Sequence, residues 1–482
     1  MPDNPINRRH FLTQAAGGLG SIALTALLAD EVKAYPLTPA QRGDNEESSF
    51  SLPRRTGGGG AAKRVIQIFC CGGVSHIDTF DYKPELIKMD GKECKKVFDT
   101  FFAQPGNLMK SPFAFKQHGK SGKWVSELLP HLAGRVDDIT FLCSMKAKSA
   151  NHTPATFQMN SGFTLNGFPC LGAWLSYGLG TVNQDLPAFV VLPDPRGLPA
   201  GGAINWTSGF LPATHQGTAF NPKGNPVDNL FPSSDVKAAD RQAALGLLHT
   251  MNQEFGTSNP GDSALAARIR AYELAARMQV SIPQVVSFES EPEHIKKLYG
   301  IDDPVAGGFA RNCLLARRLL ERGVRFVQLY HGGAFGSPRI NWDAHEDIVE
   351  NHTKQARSMD QPVAALLADL KQRGMLDDTL ILWTTEFGRT PITQGVGKPG
   401  RDHHPFAYTC WMAGAGLKPG FSYGSTDEIG YDTAETPVSV YDFHATVLHL
   451  LGIDHTKLTY YHNGTRRRLT DVHGEVIHGI LS

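Results

Sequence analysis

Met359-Asp360-Gln361-Pro362-Val363-Ala364-Ala365-Leu366-Leu367-Ala368-Asp369-Leu370-Lys371-Gln372-Arg373-Gly374-Met375-Leu376-Asp377-Asp378-Thr379-Leu380-Ile381-Leu382-Trp383-Thr384-Thr385-Glu386-Phe387-Gly388 holds a complete passage from helix to strand. Val363, Leu366, Leu367 and Leu370 recur at the spacing of one helix face, and Gly374 is the residue type that ends such a helix. Leu380 to Thr384 is then a short apolar run, suited to a strand buried on both faces. Directly after it the turn carries Glu386. In an open α/β sheet the strand ends and their loops converge, so carboxylates and imidazoles in such turns can meet.

The same alternation extends in both directions. Val65 to Cys71 is an apolar run stopped by Gly72-Gly73, and similar runs occupy Ile139 to Cys143, Ala188 to Leu192, Val324 to Leu329 and Ala407 to Met412. Helical patterns cover Ser263 to Gln279, Phe309 to Leu320 and Tyr441 to Leu451, the last closed by Gly452. Alternating β and α units imply a three-layer α/β/α sandwich around a mainly parallel sheet. Pro193 to Pro260 stands apart: rich in Gly, Pro, Asn and Ser, it reads as an irregular cap inserted in the domain.

Composition narrows the partners. Lys+Arg and Asp+Glu both number 47, so no excess charge points to nucleic acid or an anionic membrane. Asn7-Arg8-Arg9-His10-Phe11-Leu12 followed by the apolar run Ala15 to Ala29 is a twin-arginine export pattern. That run is short of the roughly 20 residues a membrane span needs, so no stable span is expected once the signal is removed. The expected organisation is a signal over 1–34, a Gly/Pro/Ser-rich linker over 35–63 and an α/β domain over 64–482. Export in the folded state places the protein in the periplasm or outside the cell. The seven cysteines are odd in number and include no Cys-x-x-Cys pair; they read as buried small hydrophobes.

Three motifs follow apolar runs in order: Trp342-Asp343-Ala344-His345, Thr384-Thr385-Glu386-Phe387-Gly388-Arg389 and Gly400-Arg401-Asp402-His403-His404. Together they suggest a divalent-metal site. One carboxylate and two imidazoles from Asp343, His345 and His403 suit zinc or another borderline ion. The plainer alternative makes Asp343 the cap of a helix starting at Ala344 and His345 a surface residue. Arg389 could clamp an oxyanion or pair with a carboxylate. His76 and His331, each just past a strand, are candidates to back the ligands.

These motifs resemble a known superfamily. The quoted helix-to-strand passage is similar to the sulfatase segment running through Gly-Leu-x-Asp-x-Thr into Thr-Ser-Asp-His-Gly, and Val440-Tyr441-Asp442-Phe443-His444-Ala445-Thr446-Val447-Leu448 resembles the late sulfatase helix. The wider likeness is to the alkaline phosphatase superfamily. More closely, twin-arginine export with Gly72-Gly73-Val74-Ser75-His76-Ile77-Asp78, Thr385-Glu386-Phe387-Gly388-Arg389 and Gly400-Arg401-Asp402-His403-His404 resembles the bacterial family DUF1501 over roughly residues 64 to 480.

The resemblance implies an alkaline phosphatase/sulfatase-like fold with two metal sites. Asp78 and Glu386 would serve one metal, a harder pair suited to magnesium, calcium or manganese. Asp343 and His345 would serve the other, completed by His403 or His404. Phe387 stands where the superfamily has a His. His152 in His152-Thr153-Pro154-Ala155-Thr156 falls at the nucleophile position, and no cysteine begins a formylglycine motif. His152 is ranked first as a ligand, then as a nucleophile or general base, with Thr153 and Thr156 as fallback nucleophiles and Asn151 facing the same site.

Two functions are expected from this. The first is a metal-dependent hydrolase of phosphate or sulfate esters, glycan esters included, using one or two divalent ions with zinc ranked first and attack by water. The other is a catalytically degenerate relative that binds an anionic glycan or a cell-surface partner.

Overall fold

The computed structural model describes residues 60–94, 106–221, 237–259, 263–333, 340–394 and 399–482. The expected signal over 1–34 and the linker as far as residue 59 lie outside them. Ala62 is already buried and donates its amide to Leu450 O at 3.0 Å, so the folded chain begins slightly before residue 64.

Nine strands make one sheet. In chain order they are β1 Arg64–Cys70, β2 Ile139–Lys146, β3 Phe189–Leu192, β4 Thr218–Ala219, β5 Phe326–His331, β6 Thr379–Thr384, β7 Tyr408–Gly414, β8 Phe421–Tyr423 and β9 Val438–Ser439. Their spatial order is β8-β2-β7-β6-β1-β5-β3-β4, with β9 also on β2. All pairings are parallel except those of β7, which runs antiparallel to β2 and β6. A parallel return needs a crossover, usually a helix. The β6–β7 connection contains no helix among the described residues, so β7 re-enters the sheet in the opposite sense.

Successive residues of β1 feed two different cores. Ile66, Ile68 and Cys70 join one cluster with the Gly307–Glu321 and Ile348–Gln372 helices, while Val65 and Phe69 join another with the Leu171–Leu179 and Val440–Leu450 helices. Side chains alternate across a strand, so an unbroken apolar run means both faces are covered. The three-layer α/β/α sandwich follows from this.

The helix ends are local chemistry. Ile348–Gln372 starts at Asp347, whose side chain accepts from Glu350 N, and stops before Gly374 at φ +67°. Asp347, and not Asp343, is therefore the cap. Ser439 and Asp442 form a reciprocal capping box on Val440–Leu450. One expectation needs correction: Ala238–Ser258, inside the segment read as irregular, is a 21-residue helix followed by Ser263–Val286. The Gly- and Pro-rich stretch before it lowered the periodicity of the window as a whole.

Several buried histidines predict a fold that loses stability in acid. Burial pushes His331 and His352 down to about 3 and His444 to about 4. Each folded pKa lies below the unfolded value of 6.5, so the unfolded state binds more protons and stability is lost as pH falls below about 6.5. Asp360, raised to about 6 by burial, works the other way between 3.8 and 6. At about 1.4 kcal/mol per proton and pH unit, these four groups together lose on the order of 3 kcal/mol between pH 5.5 and 4.5. Urea midpoints measured across this range should drop steeply; a flat profile would contradict the buried neutral imidazoles.

Candidate metal centre

β6, β1 and β5 are adjacent and parallel, so their carboxyl ends share one rim. The chain leaves β1 through Gly72 at φ +111° and Gly73 at φ +77°. A Cβ on Gly72 would lie 2.5 Å from Asp343 N, and one on Gly73 would lie 2.6 Å from the Phe387 ring. Both glycines are thus needed for the loop after β5 and the turn after β6 to close on this corner. Trp342 N donates to Cys71 O at 2.8 Å, which hangs Asp343 over the end of β1.

Four of the candidate residues meet there. His152, Asp343, His345 and His403 each present a ligand atom, all within 4.8 Å of one another. Nε2 of His152, His345 and His403 lie 3.4, 2.9 and 3.1 Å from the same atom, Asp343 Oδ1. His152 opens the His152–Ser161 helix, and His403 lies in a short ribbon where it pairs with Arg389. The His152 and His403 rings meet edge-on at 4.3 Å, and Phe387 packs against both at 4.9 and 4.5 Å. Phe387 thus gives the cluster an apolar wall.

The opposite edge of each ring faces an acceptor. His152 Nδ1 is 2.8 Å from Glu386 Oε1, His345 Nδ1 2.5 Å from Gln394 Oε1, and His403 Nδ1 2.6 Å from Ala150 O. An imidazole nitrogen facing an oxygen acceptor must carry the proton, so each Nε2 turns a lone pair inward. Three nitrogen lone pairs and a carboxylate oxygen facing one another repel unless a cation or shared protons lie between them. The donor set therefore fits a divalent ion, and the outer oxygens are the kind of support that orients histidine ligands.

The electrostatics agree. Burial, with the nearby Arg389 and His152, pushes His403 down to about 2 despite Asp343, which keeps it a neutral donor. Burial would raise Asp343, but Arg389 and the three imidazoles hold it well below the usual carboxylate range. Burial would lower His152, yet Asp343 and Glu386 together raise it, so without an ion the cluster's proton goes there.

The remaining candidates lie elsewhere. Asp78 does not join the cluster: it is fully buried, pairs with Arg401 at 2.7 and 3.2 Å and accepts from Ser75 Oγ at 2.5 Å. Glu386 is committed to Gly72 N at 2.7 Å and to His152, so the expected Asp78–Glu386 metal pair is replaced by a guanidinium bridge and a histidine support. Among the described residues there is one such cluster, not two. His404 Nε2 bonds Tyr431 O instead of turning to the cluster. Arg389 is fully buried and spends its donors on Gly72 O, Gly73 O, Arg401 O and Asp343, so it pins the corner and does not clamp a ligand. Thr153 is half-buried and Asn151 exposed, each next to His152 in the chain, and Thr156 is buried on the helix. His331 accepts from Trp342 Nε1 at 3.0 Å and so backs the residue before Asp343, whereas His76 faces Gly430 O at 2.9 Å.

Gln394 and the Ala150 carbonyl were not anticipated. Neither carries a sequence signal: one is a loop amide and the other a backbone atom. Glu386 has the strongest claim to matter among the outer groups, because a carboxylate both orients an imidazole and raises its basicity. Glu386→Gln should weaken any divalent-ion binding at the cluster by roughly 10- to 100-fold with the fold intact, measured against a competing chelator. Unchanged affinity would show that His152 needs no such support.

The family model described as "Protein of unknown function (DUF1501)" matches residues 62–481. No curated protein matches the chain. Similar solved structures include the lipoteichoic acid synthase LtaP from Listeria monocytogenes, 9% identical over 82% of this chain and 73% of that one, at a TM-score of 0.32. An alkaline phosphatase from the Antarctic bacterium TAB5 is 11% identical over 82% and 99% of the two chains, at 0.34. The PsFucS1 sulfatase from Pseudoalteromonas sp. is 12% identical over 90% and 72%, also at 0.34. Scores of this size carry no inference about substrate or mechanism. The family match spans the whole sandwich and every residue of the cluster, and the chain belongs to the DUF1501 family.

Proposed function

We propose that this protein is a metal-dependent hydrolase of phosphate or sulfate esters, glycan-borne esters among them, with one divalent ion held by His152, Asp343, His345 and His403. The supporting observation is the convergence of three inward-facing Nε2 atoms on Asp343 Oδ1 at the carboxyl rim of a parallel sheet. Three nitrogens and one oxygen suit zinc or another borderline ion better than calcium or magnesium, which prefer all-oxygen shells. When bound, such an ion supplies Lewis-acid polarisation of an ester oxygen.

The chain's own residues do the positioning. Glu386, Gln394 and the Ala150 carbonyl hold the Nδ1 protons, and Arg389 keeps Asp343 ionised. Phe387 keeps water from one side of the rings. In this reading His152 is a ligand and not the nucleophile, since Nδ1 is engaged by Glu386 and Nε2 is aimed at Asp343. That leaves water as the attacking group. The near-complete burial of the cluster supports a second reading, in which the fold is kept for binding an anionic glycan or surface partner without catalysis.

The two separate on one assay. Zinc-loaded protein should release chromophore from an aryl phosphate or aryl sulfate, and lose that activity with a chelator; an inert protein that still binds glycan supports the second. The proposal includes twin-arginine export to the periplasm or beyond, resting on Arg8-Arg9. Changing both to Lys should retain the protein in the cytoplasm on fractionation; unchanged export would count against it. Among the described residues no helix is long and apolar enough to cross a membrane.

A further inference from the structure

Near the carboxyl end of the chain, Tyr460–His462 and Thr465–Arg467 form a separate two-stranded hairpin. Its turn, Asn463 at φ +48° and Gly464 at φ +80°, has the left-handed geometry that tightens two-residue hairpins. The register places Tyr461 opposite Arg466, and Tyr460 opposite Arg467. Opposed residues share a face, so the hairpin has two unlike sides.

The inner side is anchored on aromatic rings. Tyr460 meets Tyr177 edge-on at 5.8 Å, and the His462 ring stacks on Phe210 at 4.8 Å. The outer side is bare: Tyr461 is 65% exposed and Arg466 is exposed beside it. Among the described residues no carboxylate pairs with Arg466, whereas Arg64, Arg196, Arg317, Arg357 and Arg401 are each bridged to one. An exposed aromatic ring next to an unbridged guanidinium, on a rigid support, matches a flat sugar ring that bears an anionic group. The guanidinium takes the anion with paired N–H donors, and the ring takes the C–H face of the sugar.

The position relates to the metal cluster. Gly162, which ends the His152–Ser161 helix, abuts the chain just past the hairpin: a Cβ there would lie 2.5 Å from Leu469 O. That helix rises about 15 Å between its ends, so the chain just past the hairpin, at Leu469, stands roughly that far from His152. Nucleic acid fits less well, because the short run Arg466-Arg467-Arg468, in a chain of zero net charge, makes no extended basic track.

We propose that the outer face of this hairpin, Tyr461 with Arg466, is a remote subsite for an anionic polysaccharide. The choice of a polysaccharide over other anions rests on the ester-hydrolase reading, whereas binding at the hairpin does not need the ion. The test uses the intact chain with a chelator present, titrated against dextran sulfate, unmodified dextran and oligothymidylate. Dextran sulfate should bind, dextran should not, and Tyr461→Ala with Arg466→Gln should weaken binding at least tenfold with the melting temperature unchanged. Equal binding by the double variant, no binding by the parent chain, or tighter binding of oligothymidylate would each overturn it. Failure to hydrolyse any ester while hairpin-dependent binding persists would instead remove the hydrolase reading alone.

Discussion

Asp343→Asn is expected to abolish tight divalent-ion binding, an effect larger than the roughly 10- to 100-fold loss typical of an outer support. All three Nε2 atoms are directed at this one carboxylate, so no other residue replaces its charge. The same change costs stability. Arg389 is fully buried, and Asp343 is its partner at 2.7 Å. Leaving a buried guanidinium without its counter-charge costs about 3 kcal/mol, at the lower end for broken buried pairs because Gly72, Gly73 and Arg401 carbonyls still accept from it. Zinc titration against a chelator and urea unfolding measure the two losses separately. Retained affinity in a folded Asp343→Asn protein would sink the assignment.

Asp78→Ala should behave in the opposite way, with a large stability loss and no loss of ion binding. Asp78 and Arg401 are both fully buried, and two guanidinium nitrogens reach the carboxylate. Burial would raise Asp78, but Arg401, with help from His352 and Ser75, holds its carboxyl below the usual range. Removing it should cost about 3–5 kcal/mol, seen as a lowered urea midpoint. Replacing both partners with apolar residues should recover part of that cost, since the pair must offset its own desolvation. If Asp78→Ala stayed folded and lost its ion, a second metal site would have to be restored.

The contrast between Asp343 and Asp78 shows what was legible in the sequence. Both carboxylates follow apolar strands, and both were read as ligands. A carboxylate at a strand end is equally suited to an ion or a guanidinium, and the partner that decides it lies 323 residues away for Asp78. Arg401 was in view, between Gly400 and Asp402, but nothing local marks the carboxylate it faces. Asp343, His345 and His403 were legible because three motifs of one chemistry follow strands in order. His152 was placed by resemblance, through the stretch His152-Thr153-Pro154-Ala155-Thr156. Its orientation in the cluster depends on Glu386, which was expected as a ligand and instead faces the histidine's far edge.

Strands buried on both faces could be read directly, since Val65 to Cys71 and Leu380 to Thr384 are apolar at every step or nearly so. Edge strands could not. Thr218–Ala219 and Val438–Ser439 are two residues each, too short to show any period. Helix ends were legible where a glycine takes positive φ, as at Gly374 and Gly452. The Ala238–Ser258 helix was hidden because none of its described side chains is buried, leaving no sharp apolar stripe to detect.

One measurement tests the central claim most directly: the divalent-metal content of the purified chain by mass spectrometry, beside Asp343→Asn and Asp78→Ala. About one tightly held ion per chain, absent from Asp343→Asn and retained by Asp78→Ala, is the predicted result. An ion-free parent chain that takes up none from added zinc, or an Asp343→Asn variant as fully loaded as the parent, would contradict it.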